Sequence, residues 1–474
     1  MPTPAVKIDP NSRITSADQL LAFFRSGLRP AEKWAVGAEM ETLVVDGKTG
    51  EAADFPRIEA LLSALAATGQ WTPVYENDHV IGLLGQHSSV TLEPGGQIEL
   101  SGRLCTDLAC NYDEFFDYVT DITREAGKLG LLFLGLGTQP FTPLTEIDWV
   151  PKHRYAIMGP YMNRCGTQGQ RMMKQSAGLQ VNLDYSDEAD CMDKLRLAQA
   201  LSPLLYALFA NSPVLEGRKT GFLSTRGHIW AHTDPDRTGF LDFLFSADAG
   251  FGDYVEYALD VPMYFIVREG RYLDLTERRF TFRNYLDQGF GAHRATQGDW
   301  NLHLSTLFTE VRLRPQIEMR SADSLPASMS LMVAGLLKGL FYDQAALAAA
   351  WDLCRPNSGA ELRAGCEAAW DKGLQAVWQG RTLQETARIC LELSRAGLAR
   401  ESCRWARDRN EAVFLNGLEQ IIESGQTMAE RLLQDWHGSR SAKLAALTRH
   451  CAFPGDLAPS RDVPCAYAGP EVED

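Results

Sequence analysis

The side chains best able to do chemistry in this sequence recur at alternate positions of four short stretches. In Glu93-Pro-Gly-Gly-Gln-Ile-Glu-Leu-Ser-Gly102, a turn is followed by Gln97, Glu99 and Ser101 on one side and by Ile98 and Leu100 on the other. In Gly37–Val45, Glu39 and Glu41 oppose Ala38 and Met40. In Leu179–Tyr185, Gln180, Asn182 and Asp184 oppose Val181, Leu183 and Tyr185. In Val311–Arg320, the even positions are Arg312, Arg314, Gln316, Glu318 and Arg320, and the odd ones are Val311, Leu313, Pro315, Ile317 and Met319. A period of two is the signature of a strand with one buried face. Set side by side in one antiparallel sheet, the four stretches make one face a core and line the other with carboxylates, amides and arginines.

Carboxylates crowded on one face repel one another and hold their protons more tightly unless a cation intervenes. Hard oxygen donors without a His or Cys cluster suit Mg²⁺ or Mn²⁺, and Mg²⁺ commonly joins a few carboxylates to substrate phosphates. Arginines beside such an ion grip phosphate or carboxylate bidentately. The pattern therefore predicts a metal–nucleotide site on the polar face of an antiparallel sheet. A solvated face with ordinary ion pairs is the alternative, and it accounts for one such strand more readily than for all four.

The elements that must carry these strands are visible around them. Ser16–Gly27 has a capping residue, helical apolar spacing and a terminal glycine, and it leads into the first carboxylate strand. Arg57–Ala67 predicts a helix and Trp71–Leu92 short strands. Asp107–Leu129 predicts a long amphipathic helix closed by Gly130, and Leu131–Gly135 the strand after it. Asp187–Phe209 predicts one helix with an acidic first turn, ended by Ala210-Asn-Ser-Pro213. Ser224–Gly239 predicts a polar loop of the kind that carries binding residues. Tyr254–Phe265 and Tyr272–Tyr285 predict a helix and two strands. From Ala327 to about His437 the helical period dominates, with Trp351, Trp370 and Trp378 expected in the core. Two glycine-rich pieces fail as nucleotide loops: Gly135 and Gly137 lack a third glycine and run into prolines, and Glu216–Gly221 lacks Walker spacing.

Composition narrows the function classes. A hydrophobic share of 45% and a charged share of 23% fit a soluble globular enzyme. A net charge of −15 without a long basic run argues against nucleic-acid binding. No apolar run reaches membrane length, and the N-terminus has neither a signal-peptide core nor a transit-peptide character, so a cytoplasmic location is expected. The ten cysteines form no C-x-x-C pair and are expected as buried thiols, without a disulfide framework or zinc site.

Seven motifs follow one another in a fixed order: Glu93–Gly102, Pro151-Lys-His-Arg-Tyr155, Gln180-Val-Asn-Leu-Asp184, Phe209-Ala-Asn-Ser-Pro213, the Arg226–Gly239 segment, Asp260-Val-Pro-Met-Tyr264, and Glu310-Val-Arg-Leu with Glu318-Met-Arg320. Together they resemble the plant and proteobacterial type of glutamate–cysteine ligase, from about Val36 to Tyr342 and more weakly beyond. The resemblance implies an α+β fold, a glutamine-synthetase-like antiparallel β-sheet saddle flanked by helices with a C-terminal helical layer. It divides the chain into a catalytic ATP-, metal- and glutamate-binding region (1–326), a helical region of the same catalytic unit (327–452) and a loosely ordered tail (453–474).

It also implies Mg²⁺-dependent (or Mn²⁺-dependent) joining of the γ-carboxylate of glutamate to the amine of cysteine through a γ-glutamyl phosphate, with ATP as co-substrate. This is the first step of glutathione biosynthesis. Glu39, Glu41, Glu93, Glu99 and Glu318 match the family's carboxylate positions and are the expected metal ligands. Arg320 is the expected phosphate contact and, with Arg237, the expected catalytic cation. Arg226 and Arg237 are expected on phosphate or the glutamate α-carboxylate, and Gln180 and Asn182 on substrate or metal-bound water. Bland alternatives stand beside these: a strand-face ion pair for Glu41, a structural pair of Arg226 with Asp234 or Asp236, and backbone bonding for Asn182. Small-molecule substrates, no nucleic acid, no membrane, and a monomer or homodimer complete the expectation.

The sequence departs from the plant type where Met40 and Thr42 replace a His and a Lys, where Ser176-Ala-Gly178 replaces a Cys-Thr pair, and where Gly227 and His232 replace Ser and Asp. The hairpin at Asp274-Leu-Thr276 lacks the regulatory cysteine. The carboxylates survive, so the acceptor is the substrate these changes put in question. The competing readings are a γ-glutamyl ligase with another amino acid or amine as acceptor, and a non-catalytic ligand-binding paralogue.

Overall fold

The computed structural model describes residues 9–404 and 411–454. Its centre is a sheet of nine strands, here β1 (Val36–Asp46), β2 (Thr72–Glu76), β3 (His79–Leu84), β4 (Ser89–Leu92), β5 (Ile98–Ser101), β6 (Leu131–Leu134), β7 (Gly178–Leu183), β8 (Val311–Leu313) and β9 (Ile317–Asp323). They lie in the order β8-β9-β7-β1-β5-β4-β3-β2, all pairs antiparallel, with β6 also paired to β1. β1 serves two sets of neighbours along its length. Its first half lies between β7 and β5, and Leu43–Asp46 pairs with β6.

Register puts the predicted polar positions on one face. Glu39 faces Gln180 and Ser101, Glu41 faces Glu99, Glu99 faces Thr91, and Asn182 faces Glu318. A one-residue slip in any pair would send a carboxylate into the core, so the apolar partners fix the register. On the other face Met40 pairs with Leu100, Ala38 with Val181, and Leu183 with Ile317. Helices Phe55–Ala66 and Leu108–Lys128 cover the β3–β5 part of that face. The helix Ser330–Phe341, every residue of which is buried, covers β1 and β7. Tyr342 then donates its hydroxyl to the Ala35 carbonyl at 2.6 Å and accepts the Asp184 N–H at 2.8 Å, tying the ends of β1 and β7 together.

Several expectations need correcting. The Val311–Arg320 run is a hairpin rather than one strand: Arg314–Gln316 turn at Pro315, and Arg312 becomes the cross-strand partner of Glu318. Proline has no N–H for a ladder, so the chain reverses there. The Asp187–Phe209 helix is two, Glu188–Ala200 and Ser202–Leu208, broken just before Pro203. The Ser224–Gly239 loop holds a short buried helix, Thr225–Ala231, whose capping Ser224 hydroxyl accepts the Gly227 N–H at 3.2 Å. Tyr272–Tyr285 gives a strand, Arg271–Asp274, and then a helix, Phe282–Gln288.

Trp370 and Trp378 are buried as expected, and Trp351 only partly so. Two cysteines are not thiols. The segment after β5 folds back onto β1, with Cys105 bonded through both backbone groups to Val36, and this sets Cys105 against the first turn of the next helix in a disulfide with Cys110. In the expected tail, Phe453 packs against Phe115 and Phe133, and residues 455–474 lie outside the described residues. Among the described residues no single helix is long and apolar enough to cross a membrane.

Candidate active site

The polar face of the sheet is roofed by helices His153–Cys165, Gly169–Gln175 and Thr225–Ala231. Between roof and sheet lies a cavity lined by Glu39, Glu41, Glu93, Glu99, Gln180 and Arg320 from the expected set. Glu93 comes from the turn joining β4 and β5, not from a strand. That turn closes through the Gly96 N–H on the Glu93 carbonyl, and Gly96 takes φ +84°. Its neighbour Gly95 is pressed so closely on the Gly169–Gln175 helix that a Cβ would lie 2.4 Å from the Lys174 carbonyl oxygen. Two glycines thus hold Glu93 against the roof, one by its left-handed backbone and one by close approach.

The carboxylates differ in what surrounds them. Glu41 accepts the Gln180 amide at 2.9 Å and the Gly178 N–H at 2.5 Å. Burial, with Glu93 adding repulsion, still pushes its carboxyl up to about 7, against the pull of Arg226 and Arg320. Glu99 accepts the Thr91 hydroxyl at 3.2 Å and the Ser101 hydroxyl at 3.3 Å, and its carboxyl also meets that of Glu39. Burial and then Glu39, Glu93 and Glu41 raise it well above the ordinary carboxylate range. Glu39 accepts the Asn182 amide at 2.8 Å.

Glu318 is the opposite case. Arg312 grips it with two bonds, 2.8 and 2.7 Å, and Arg320 donates to the same carboxylate. Burial by itself would raise its carboxyl, but the two arginines hold it down at about 2. Arg320 also donates to the Gln180 carbonyl oxygen at 2.6 Å, so a continuous chain runs Arg312–Glu318–Arg320–Gln180–Glu41 across four strands.

The two remaining arginines separate. Arg226 is buried, and its Nε and Nη1 have no hydrogen-bond partner. It does not pair with Asp234 or Asp236; those take Arg237 and Arg279. Its guanidinium and that of Arg320 lie 5.4 and 5.2 Å from the Trp230 ring centre. The glycine at 178 has a reason here: a Cβ would sit 2.3 Å from Arg226 Nη2, so this arginine occupies space a side chain would claim. Arg237 does not line the cavity. Fully buried, it donates to Asp234 at 2.6 Å and to the Pro262 carbonyl at 2.9 Å, and lies 3.9 Å from the Tyr264 ring centre. Its partners are all structural, which corrects the expectation of a catalytic cation. Asn182 bonds a carboxylate rather than loop backbone, and it too is absent from the lining.

Among the cavity-lining side chains outside the expected set are Arg154, Tyr155, Trp230 and Arg312. Arg154 is the most informative, because its Nε is buried without a partner. The Pro151–Tyr155 motif holds it, but a helix start gives no period by which one arginine is singled out.

The donor chemistry fits a hard dication at one end of the cavity. Glu93 has no side-chain partner among the described residues, and Glu99 repels its neighbours. Among the described residues no three His, Cys, Asp or Glu side chains converge tightly enough to hold an ion as they stand, so binding would draw these carboxylates together. Glu318, saturated by two arginines, does not fit the role of metal ligand in this arrangement.

Comparison with known proteins agrees with this geometry. Residues 35–447 match the profile of glutamate–cysteine ligase family 2. The chain is 39% identical over 424 residues to the chloroplastic glutamate–cysteine ligases of Brassica juncea and Arabidopsis thaliana, covering 89% of this chain and 81% and 80% of theirs. A crystal structure of a glutamate–cysteine ligase from Francisella tularensis in complex with AMP superposes with a TM-score of 0.53 at 13% identity, over 88% of each chain, and shares the glutamine-synthetase-like α+β fold. The curated relatives are chloroplastic, which overturns the cytoplasmic location expected from the N-terminus. With the profile covering most of its length, this chain belongs to glutamate–cysteine ligase family 2.

Proposed function

We propose that this ligase joins the γ-carboxylate of glutamate to the amine of cysteine at the expense of ATP, giving γ-glutamylcysteine, ADP and phosphate. The observation that carries the reading is a cavity in which crowded carboxylates share the lining with Arg320 and with Arg154, whose buried Nε is unpartnered, in a chain of this family. A glutamate γ-carboxylate is a poor acyl donor. Its oxygen attacks the terminal phosphorus of ATP, ADP leaves, and the acyl phosphate formed is then attacked at carbon by the amine. The C–N bond forms as phosphate departs, and the amine gives up a proton. Both steps depend on positioning and charge neutralisation rather than on a protein nucleophile.

The residues divide this work by charge. Arg154, with its unpartnered buried Nε, suits a substrate carboxylate, and Arg320 suits the transferred phosphoryl group. Gln180 bridges Arg320 to Glu41 and so aligns the positive and negative ends of the site. Glu93 and Glu99, with Glu39 and Glu41 beside them, would hold Mg²⁺. When bound, that ion supplies positive charge to the nucleotide's phosphates. Buried apolar groups, Met158, Met172 and Met173 among them, line the same cavity and keep water from the acyl phosphate.

The test is a product mass spectrum. Full-length protein receives Mg-ATP, glutamate and cysteine, with parallel reactions that replace cysteine by other amino acids and amines. A cysteine-dependent dipeptide with matching ADP is expected. A product only with another acceptor would replace cysteine in this reading, and nucleotide binding without any product would overturn catalysis.

A further inference from the structure

A second groove lies on the opposite side of the sheet from the ligase cavity. Its floor includes Leu100, which neighbours Glu99 in β5 but points the other way, and Tyr118 of the Leu108–Lys128 helix. One wall is Trp71 with the β3–β4 turn, and the other is the flank of that helix bearing Asp113, Asp117 and Asp121. We propose that this groove binds an aliphatic polyamine.

Three observations carry the proposal. Asp113, Asp117 and Asp121 follow at intervals of four, so they stand in a row along one helix face, about 6 Å of axial rise apart. Like charges at that spacing work against the helix. Asp121 pairs with Arg124 at 2.7 Å, whereas Asp113 and Asp117 have no ion-pair partner among the described residues. Second, Tyr118 is 4% exposed, lines the groove, and its hydroxyl has no hydrogen-bond partner, an orphan that a ligand N–H would satisfy. Third, Trp71 meets the Tyr118 ring edge-on at 6.4 Å, giving the groove aromatic surface beside the acids. Acids with aromatic faces suit alkylammonium groups.

The row selects the ligand class. A single dication would need its donors converged on one point, and no such cluster exists among the described residues. Amines linked by three or four methylenes repeat at roughly the axial spacing of the acids, about 6 Å, and their methylenes would lie along Leu100 and Trp71. Arg103 also lines the groove, and a polyamine binds there against its positive charge. The site owes nothing to the ligase reaction, so it stands or falls separately from it.

The experiment is calorimetric titration of the full-length protein with spermidine at low ionic strength. Saturable binding is expected, weakened at least tenfold in Asp113→Asn/Asp117→Asn and more modestly in Tyr118→Phe, which keeps the ring and removes only the hydroxyl. Glu93→Gln, in the other cavity, is expected to bind spermidine as the unaltered protein does. Absence of saturable binding, equal affinity in the double variant, loss of binding in Glu93→Gln, or displacement by equimolar Mg²⁺ would each overturn the proposal, the last by reducing the groove to a diffuse counter-ion surface.

Discussion

The two ends of the polar sheet face are built from the same residue types and behave oppositely. At the β8–β9 end, Glu318 is closed between Arg312 and Arg320 and its carboxyl is held at about 2. At the β5 end, Glu39, Glu41, Glu93 and Glu99 crowd one another with no ion pair of their own among the described residues, and the carboxyls of Glu41 and Glu99 are pushed up. One end holds a carboxylate already matched by two cations, and at the other the carboxylates crowd one another until something binds. The difference teaches where binding energy is available: a buried ion pair gains little from a further partner, whereas crowded like charges gain from any ligand that separates them.

The largest expected effect comes from breaking the closed end. Glu318→Gln leaves Arg312 and Arg320 buried without their shared anion, at a cost of about 3–5 kcal/mol. Denaturant unfolding measures it. A change under about 1 kcal/mol, the size of an exposed pair, would show that the two arginines find other anions and that this end is not closed.

Next is the open end. Glu93→Gln removes a repulsive neighbour of Glu41 and Glu99, so stability is expected to hold or rise while kcat/KM falls on the order of 100-fold, as when a group stabilising transition-state charge is lost. Steady-state kinetics beside a melting curve reads both. Activity within a few-fold of normal would remove Glu93 from the charge-binding set, and a large loss of stability would remove the contrast.

Acid–base behaviour separates the ends by sign. Glu41 binds its proton more tightly folded than unfolded, with a carboxyl raised from 4.5 to about 7. Its stabilising contribution is therefore full below about 4.5 and is lost as pH rises through about 7. Glu318, lowered to about 2, contributes above about 4.5 and loses that contribution as pH falls toward 2. Stability of the metal-free protein followed from about pH 2 to 8 should accordingly flatten above about 4.5 in Glu41→Gln, while Glu318→Gln should alter only the acid side. An unchanged slope in Glu41→Gln would mean that its carboxyl titrates normally.

How far the site was legible follows from the same contrast. Glu39, Glu41, Glu99, Gln180 and Asn182 were placed correctly on one face, because a period of two survives whatever neighbours a strand acquires. Nothing local says which of them meets a cation. The pairing of Arg312 with Glu318 depends on the reversal at Pro315, which alternation read straight through conceals. Arg226 and Arg237 sit in one motif, yet a short buried helix turns the first toward Glu41 while Asp234 and Tyr264 hold the second away from the cavity. Arg154 and Trp230 enter from roof helices with no periodic signal, so only the assembled fold brings them to the site.

The smallest effect discriminates most finely. Mg²⁺ added without nucleotide should stabilise the unaltered protein by about 1.4 kcal/mol at ten times its dissociation constant. Each variant is compared with its own metal-free baseline, so the cost of opening the arginine pair does not enter. Glu93→Gln is expected to lose the increment and Glu318→Gln to keep it, since only the first removes a carboxylate that is waiting for a cation. If Glu318→Gln loses it instead, Glu318 leaves its arginines to join the ion. Arg320 would then be released for phosphate by the same event, and the two ends would be successive states of one site rather than two kinds of charge.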